Sequence, residues 1–228
     1  MKLKLAASAL ILALAACSPQ TAPAATETAA TVPVALTVPA GDYTVDPTHA
    51  RIVFELHHMG LGNFPLLFNT YDATVKFDPA NVENSSVTAT IDPTHLVAAY
   101  AGDYTATHGD RFKSWEDDLT NSTNFLNAKQ FPQISFASTG VTVTGSDTAD
   151  VAGELTLLGV TQPVTLHATF TGQTESHPFA KVPAIGFSAT GSFKRSAFGM
   201  TYLVDNGMVS DEVTFEIDGD FLAQRPAQ

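Results

Sequence analysis

The chain has 228 residues, with 23 acidic against 11 basic side chains and a formal charge of −12 at neutral pH. That balance repels nucleic-acid phosphates and anionic lipid headgroups, so neither nucleic acid nor a basic membrane-binding patch is expected. With one cysteine in the chain, no internal disulfide framework can form.

Lys2 and Lys4 precede an apolar stretch over residues 5–16. It is too short for a bilayer span of ~20 residues but suits a signal-peptide core. It closes on Leu14-Ala15-Ala16-Cys17, which is similar to a bacterial lipobox, the motif whose cysteine takes a diacylglyceryl group and becomes the first residue after cleavage. Residues 1–16 are therefore expected to be a signal peptide and Cys17 the lipidation site. Ser18 follows instead of an aspartate, which resembles outer-membrane sorting in a Gram-negative host. The expected location is the periplasm, lipid-anchored at the outer membrane, with the anchor as the membrane contact. Residues 17–41 are rich in Ala, Thr and Pro with Glu27 as the single charge, and read as a disordered tether.

Beyond the tether the composition changes. Short runs recur in which apolar and polar residues alternate: Ile52 to His57, Ala73 to Phe77, Val87 to Ile91, Ile134 to Phe136, Val141 to Val143, Val151 to Leu157, Val164 to Phe170, Ile185 to Ala189 and Val213 to Ile217. Gly, Pro, Asn and Asp separate them. A period of two means a strand with one buried and one wet face, and such spacing suggests a sandwich or barrel. No long helical pattern alternates with the strands, which disfavours a parallel α/β sheet. A helical excursion is expected within residues 107–125, around Trp115. The fold class is thus all-β, in one domain over residues 42–223 with a tail at 224–228. Phe54, Val75, Phe77, Phe136, Leu166, Phe170, Phe187 and Phe215 all sit on the apolar phase of their runs. If the sheet closes, these phases converge on one interior, which an eight-stranded barrel can either fill with side chains or keep open for a ligand. Composition does not choose between the two.

Six separated stretches resemble the sequence blocks of one family. Tyr43-Thr44-Val45-Asp46-Pro47-Thr48-His49 is similar to its opening strand, and Phe54 with His58-Met59-Gly60 to its next segment. Phe77-Asp78-Pro79 ends the following hairpin. Asn124 to Phe136 and Val151 to Val164 resemble two longer blocks, and Arg195-Ser196-Ala197-Phe198-Gly199-Met200 a last one. The blocks occur in family order, and the family they resemble is that of the YceI-like, or polyisoprenoid-binding, proteins. The resemblance implies an extended lipocalin-like antiparallel β-barrel with a short helical excursion. It also implies binding, storage or transport of a long-chain apolar amphiphile, such as an isoprenoid quinone, a polyprenyl phosphate or a fatty-acid derivative. It carries no shared catalysis. Leu66 and Ala73 stand where the family has glycine, Asp118 where it commonly has histidine, and residues 100–115 have their own sequence. These departures fall in expected mouth loops and so bear on the ligand more than on the fold.

Other chemistries find little support. His57 and His58 are adjacent and face opposite sides of a strand, and the remaining histidines show no ligand spacing, so no metal is expected. The chain lacks G-x-S-x-G, G-x-x-x-x-G-K, G-x-G-x-x-G and C-x-x-C patterns, so no enzyme and no cofactor beyond a bound lipid is expected. Glu116, Asp117 and Asp118 read as solvated surface. His58 and Arg195 are the candidates for a ligand headgroup, Arg195 because a buried guanidinium needs a partner. Asp205 and Asp211 are its competing structural partners. The expected partner is an isoprenoid or other long-chain lipid, and nothing in the sequence argues against a homodimer. The rival reading is a structural or stress-response surface lipoprotein with a filled barrel and no ligand.

Overall fold

A computed structural model describes residues 35–224. The signal segment, Cys17 and the tail from residue 225 lie outside the described residues. The strands in chain order are β1 (Gly41–His58), β2 (Gly62–Phe68), β3 (Asp72–Phe77), β4 (Ser86–Ile91) and β5 (Leu96–Ala98). Two helices follow, α1 (Tyr104–His108) and α2 (Trp115–Asn121). The chain then returns to strands: β6 (Ile134–Val143), β7 (Thr148–Leu157), β8 (Val160–Thr174), β9 (Ala184–Lys194) and β10 (Glu212–Ala223).

Closure depends on β1. One edge pairs antiparallel with β10 over most of its length, from Tyr43 opposite Ala223 to Glu55 opposite Thr214. Its other edge changes partner, from β3 over Gly41–Thr44 to β2 over Ile52–His58. The register slips between Val45 and Ala50, where Pro47 has no N–H to give a ladder. Asp46 knits this bulge by accepting from the Thr48 amide at 2.9 Å and the Thr48 hydroxyl at 2.7 Å. The circuit β1–β10–β9–β8–β7–β6–β4–β3 returns to β1 as a closed eight-stranded antiparallel barrel. β2 and β5 extend from the second half of β1 as a flap at one end.

The alternating runs all become strands. The Ile134 and Val141 runs are one strand, broken by a bulge between Ser138 and Gly140. β2 and β5 were not visible as a pattern. Pro65 interrupts β2 but is tolerated because β5 covers only Leu66–Phe68, leaving the Pro65 edge unpaired on that side. The helical excursion begins three residues earlier than expected and is split in two. Asp103 caps α1 by accepting from the Ala106 amide, Gly109 ends it with φ 81°, and Ser114 caps α2 by accepting from the Asp117 amide.

The end of the expected tether is not free. The Gln173 side chain of β8 accepts from the amides of Thr37 and Val38 and donates to the Ala35 carbonyl. Val38 is thereby buried to 2 % exposure beneath the barrel, beside fully buried Tyr43. Phe77, Phe170, Phe187 and Phe221 stack edge-on around Phe187, with centroids 5.6–6.2 Å apart, and make a floor at this end.

Candidate ligand-binding lumen

The inward positions of each strand are fixed by parity, and their volumes decide what the barrel encloses. β3 points Ala73, Val75 and Phe77 inward, β4 Val87, Ala89 and Ile91, and β8 Val164, Leu166 and Ala168. β7 adds Ala149 and Val151, and β9 adds Phe187 and Ala189. Alanine thus recurs among the large residues, and Ala168 pairs directly with Ala189 across β8 and β9. The missing side-chain volume leaves a deep chamber of about 190 Å³ whose wall is almost wholly apolar. Its polar edge is small: Ser85 and Ser86 where β4 begins, and Tyr71. The Tyr71 hydroxyl is already committed, donating to the Asp218 carbonyl at 3.1 Å, and burial pushes its pKa up.

Above this chamber a second group of rings narrows the barrel. Phe54 lies 5.8 Å from Phe68, 6.0 Å from Phe215 and 6.3 Å from Phe193. Two glycines make room for large rings. A Cβ on Gly191 would strike the Phe215 ring, and one on Gly153 the Phe136 ring. Past this waist lies an outer chamber of about 570 Å³. Phe54, Ile91, Leu155 and Phe193 line both chambers, so the two lie end to end along the barrel with these side chains between them.

The outer chamber is amphipathic. Its apolar wall includes Leu56, Leu66, Leu157, Met200 and Met208; its polar groups include His57, His58, Asp118, Asn124 and Arg195. α1 and α2 place an aromatic stack here. Tyr104 lies flat on His108 at 4.7 Å, and His108 on Trp115 at 5.2 Å. The Tyr104 hydroxyl donates to Asp118 at 2.6 Å, and burial, then this bond, push its pKa up to about 12.

Of the residues expected to line the interior, Phe54, Val75, Phe77, Phe136, Leu166, Phe187 and Phe215 line the deep chamber. Phe170 does not. It keeps the inward phase, but β8 bulges between Phe170 and Gly172, and the ring packs against Phe187 in the floor. His58 borders the outer chamber on the exposed end of β1. His57 borders it too, where its carbonyl accepts from the Ser210 amide. Among the described residues no three His, Cys, Asp or Glu side chains converge as a metal site.

Arg195 also lines the outer chamber, at 2 % exposure, but neither expected acid pairs with it directly. Its Nε donates to the Ser210 carbonyl at 2.8 Å, Nη1 to Tyr202 at 2.8 Å and Nη2 to Val209 at 3.2 Å. Burial lowers its pKa, with Asp211 pulling the other way. Asp211 instead accepts from the amide and hydroxyl of Ser196, both at 2.8 Å. The guanidinium is therefore a clasp that holds residues 202–210 over the chamber. The Ser210 amide donates to the His57 carbonyl and joins the same loop to β1. The three acids of α2 are not idle surface either. Glu116 accepts from the Ala98 amide, Asp117 accepts from the Lys113 amide and the Asn121 side chain, and Asp118 faces the chamber.

A closed antiparallel barrel around one deep apolar lumen with a polar mouth is the architecture of lipocalin-like binding proteins. A model of the YceI-like domain matches residues 43–221, and the chain belongs to that family. It is 34 % identical over 188 residues to Protein YceI of Escherichia coli O17:K52:H18, covering 82 % of this chain and 89 % of that one. It is 32 % identical over 180 residues to a UPF0312 protein of Pseudomonas syringae pv. tomato, covering 78 % and 86 %. Among solved structures, Burkholderia cenocepacia BcnA superposes with TM-score 0.64 at 24 % identity, over 77 % of this chain and 98 % of that one. A polyisoprenoid-binding domain from Saccharophagus degradans, implicated in plant cell wall breakdown, superposes with TM-score 0.53 at 12 % identity, over 80 % and 98 %.

The clasp makes Arg195 separable from a headgroup ligand by experiment. Arg195→Met leaves three carbonyls without their donor, so urea denaturation should show a loss of about 3 kcal/mol. An unchanged midpoint with weakened binding of an anionic lipid would instead make Arg195 a headgroup contact.

Proposed function

We propose that this protein binds, stores or transports one long-chain apolar amphiphile in the periplasm, held in the barrel lumen. The ligand would be an isoprenoid quinone, a polyprenyl phosphate or a fatty-acid derivative. The observation that carries this reading is the contrast along the lumen: a deep chamber almost wholly apolar but for Ser85, Ser86 and Tyr71, and an outer chamber that gathers His57, His58, Asp118, Asn124 and Arg195. A chamber of about 190 Å³ walled almost wholly by hydrocarbon is unfavourable to leave empty. At ~24 cal/mol per Å³, leaving it empty costs roughly 5 kcal/mol, which a ligand chain would recover. Each buried CH₂ adds ~0.8 kcal/mol without directional demands, so chain length matters more than chain identity. The Saccharophagus degradans domain of this fold is described as polyisoprenoid-binding, which is consistent with this chemistry. The rival reading, a structural lipoprotein with a filled barrel, requires side chains where these chambers are open.

In the same proposal the protein is lipid-anchored through Cys17, at the outer membrane. Two experiments test the two parts. Ala168→Phe fills the deep chamber from its wall, so it should weaken a fluorescent polyprenyl probe by about tenfold while the melting temperature holds or rises. Unchanged probe affinity would sink the lumen reading. Cys17→Ser should abolish labelling by radioactive palmitate and move the protein out of the membrane fraction. Wild-type protein that takes up no label would remove the anchor.

A further inference from the structure

The end of the barrel that carries the mouth differs in chemistry from the rest of the surface. The turn between β1 and β2 raises Met59 and Leu61 into solvent, at 49 % and 84 % exposure. Met59 takes a left-handed φ of 51° beside Gly60, and its amide donates to the Met208 carbonyl at 2.8 Å, so the turn is pinned to the loop that Arg195 clasps. That loop exposes Tyr202 and Met208, and Tyr100 is exposed beside them on the helical side of the mouth. An 84 % exposed leucine at a turn tip stabilises nothing within the barrel. The other strongly exposed ring, Phe179, stands on the β8–β9 loop, away from this cluster.

Charge and aromatic type point to one occupant. The chain carries −12 overall, yet residues 57–64 hold no acid, Lys or Arg. In residues 100–114, Asp103 and Asp110 are offset by Arg111 and Lys113, and residues 200–209 hold only Asp205. The β1–β2 turn and the 200–209 loop are therefore nearly neutral on an acidic protein, while the acids of α2 beside them are held by the Ala98 and Lys113 amides and the Tyr104 hydroxyl, so anionic repulsion is weakest at these two tips. The single Trp lines the outer chamber, and two of the five Tyr, Tyr100 and Tyr202, are exposed at this end, at 36 % and 44 %. Trp and Tyr, with an apolar body and a polar tip, are the rings that settle at a membrane–water interface.

We propose that the mouth rim docks on a bilayer surface, with Met59 and Leu61 inserted among the acyl chains and the tyrosines at headgroup depth. The inference rests on the lumen reading: a chain passing from bilayer to lumen would then cross no bulk water, meeting the polar groups of the outer chamber on the way. The contact is weak and reversible, because one or two side chains insert, not a helix.

Trp115 is a built-in reporter at this site. Full-length Cys17→Ser protein, which lacks the proposed anchor, is mixed with phosphatidylcholine vesicles brominated on the acyl chains, and Trp115 fluorescence should be quenched. In Leu61→Glu, the lipid concentration for half-maximal quenching should rise about tenfold, the equivalent of one leucine withdrawn from the interface. Met59→Ser should raise it in the same direction. Protein preloaded with a non-brominated polyprenyl probe should be quenched as well as empty protein. Loss of quenching on preloading would mean that brominated chains reach Trp115 through the lumen, and would overturn the docking proposal. So would absence of quenching, or quenching unchanged in Leu61→Glu. A dimer seen by light scattering and dissolved by Leu61→Glu would assign the rim to a second copy of the chain instead. If the probe binds in solution while vesicles leave Trp115 unquenched, docking fails and the lumen reading stands.

Discussion

Everything in this molecule depends on the closure of a two-sided sheet on itself through β1. An open sheet with this alternation would need a second layer to cover its apolar face; a closed one turns that face into an interior. β1 achieves closure by serving two partners on one edge, β3 and then β2, with the Asp46–His49 bulge as the point of exchange. Once the circuit is complete, every inward side chain faces the same axis, and the sum of their volumes decides whether the barrel is solid or hollow. The alanines of β3, β4, β7, β8 and β9 fall on that face and tip the outcome to hollow.

The same closure separates two ends with different chemistry. At one end, a floor of phenylalanine and the Gln173-held segment around Val38 pack beneath the interior. At the other, the β1–β2 flap, the two helices and the loop clasped by Arg195 surround an opening with polar groups among apolar ones. A buried cation satisfied wholly by carbonyl dipoles is a demanding arrangement, since each carbonyl must be delivered in the right place. It converts a loop over residues 202–210, which has no strand or helix to hold it, into a fixed wall of the outer chamber.

The sequence made the strands legible wherever one face was wet and the other buried, as in Ala73 to Phe77 and Val164 to Phe170. It hid β2, because Pro65 breaks the pattern, and β5, because three residues carry no period. Seven of the eight expected interior residues line the lumen, since parity alone fixes direction. Phe170 fails because a bulge one residue later ends the regular ladder, and bulges leave little trace in alternation. The question of hollow or filled was also written in the sequence, in the alanines that share a phase with the phenylalanines. It is missed by attending only to the large residues. The role of Arg195 was not legible: its partners are backbone carbonyls, which any sequence could supply. Nor was the aromatic stack of Tyr104, His108 and Trp115, which needs two short helices to be placed against each other.

The central claim is that the interior is a ligand site and not a packing defect. Native mass spectrometry of the protein purified from its own host, without detergent exchange, addresses it most directly. The account predicts a bound species at one per chain, with the mass of an isoprenoid or acyl-chain lipid, released on unfolding. A homogeneous apo mass, together with no uptake of an added quinone or polyprenyl probe, would contradict it.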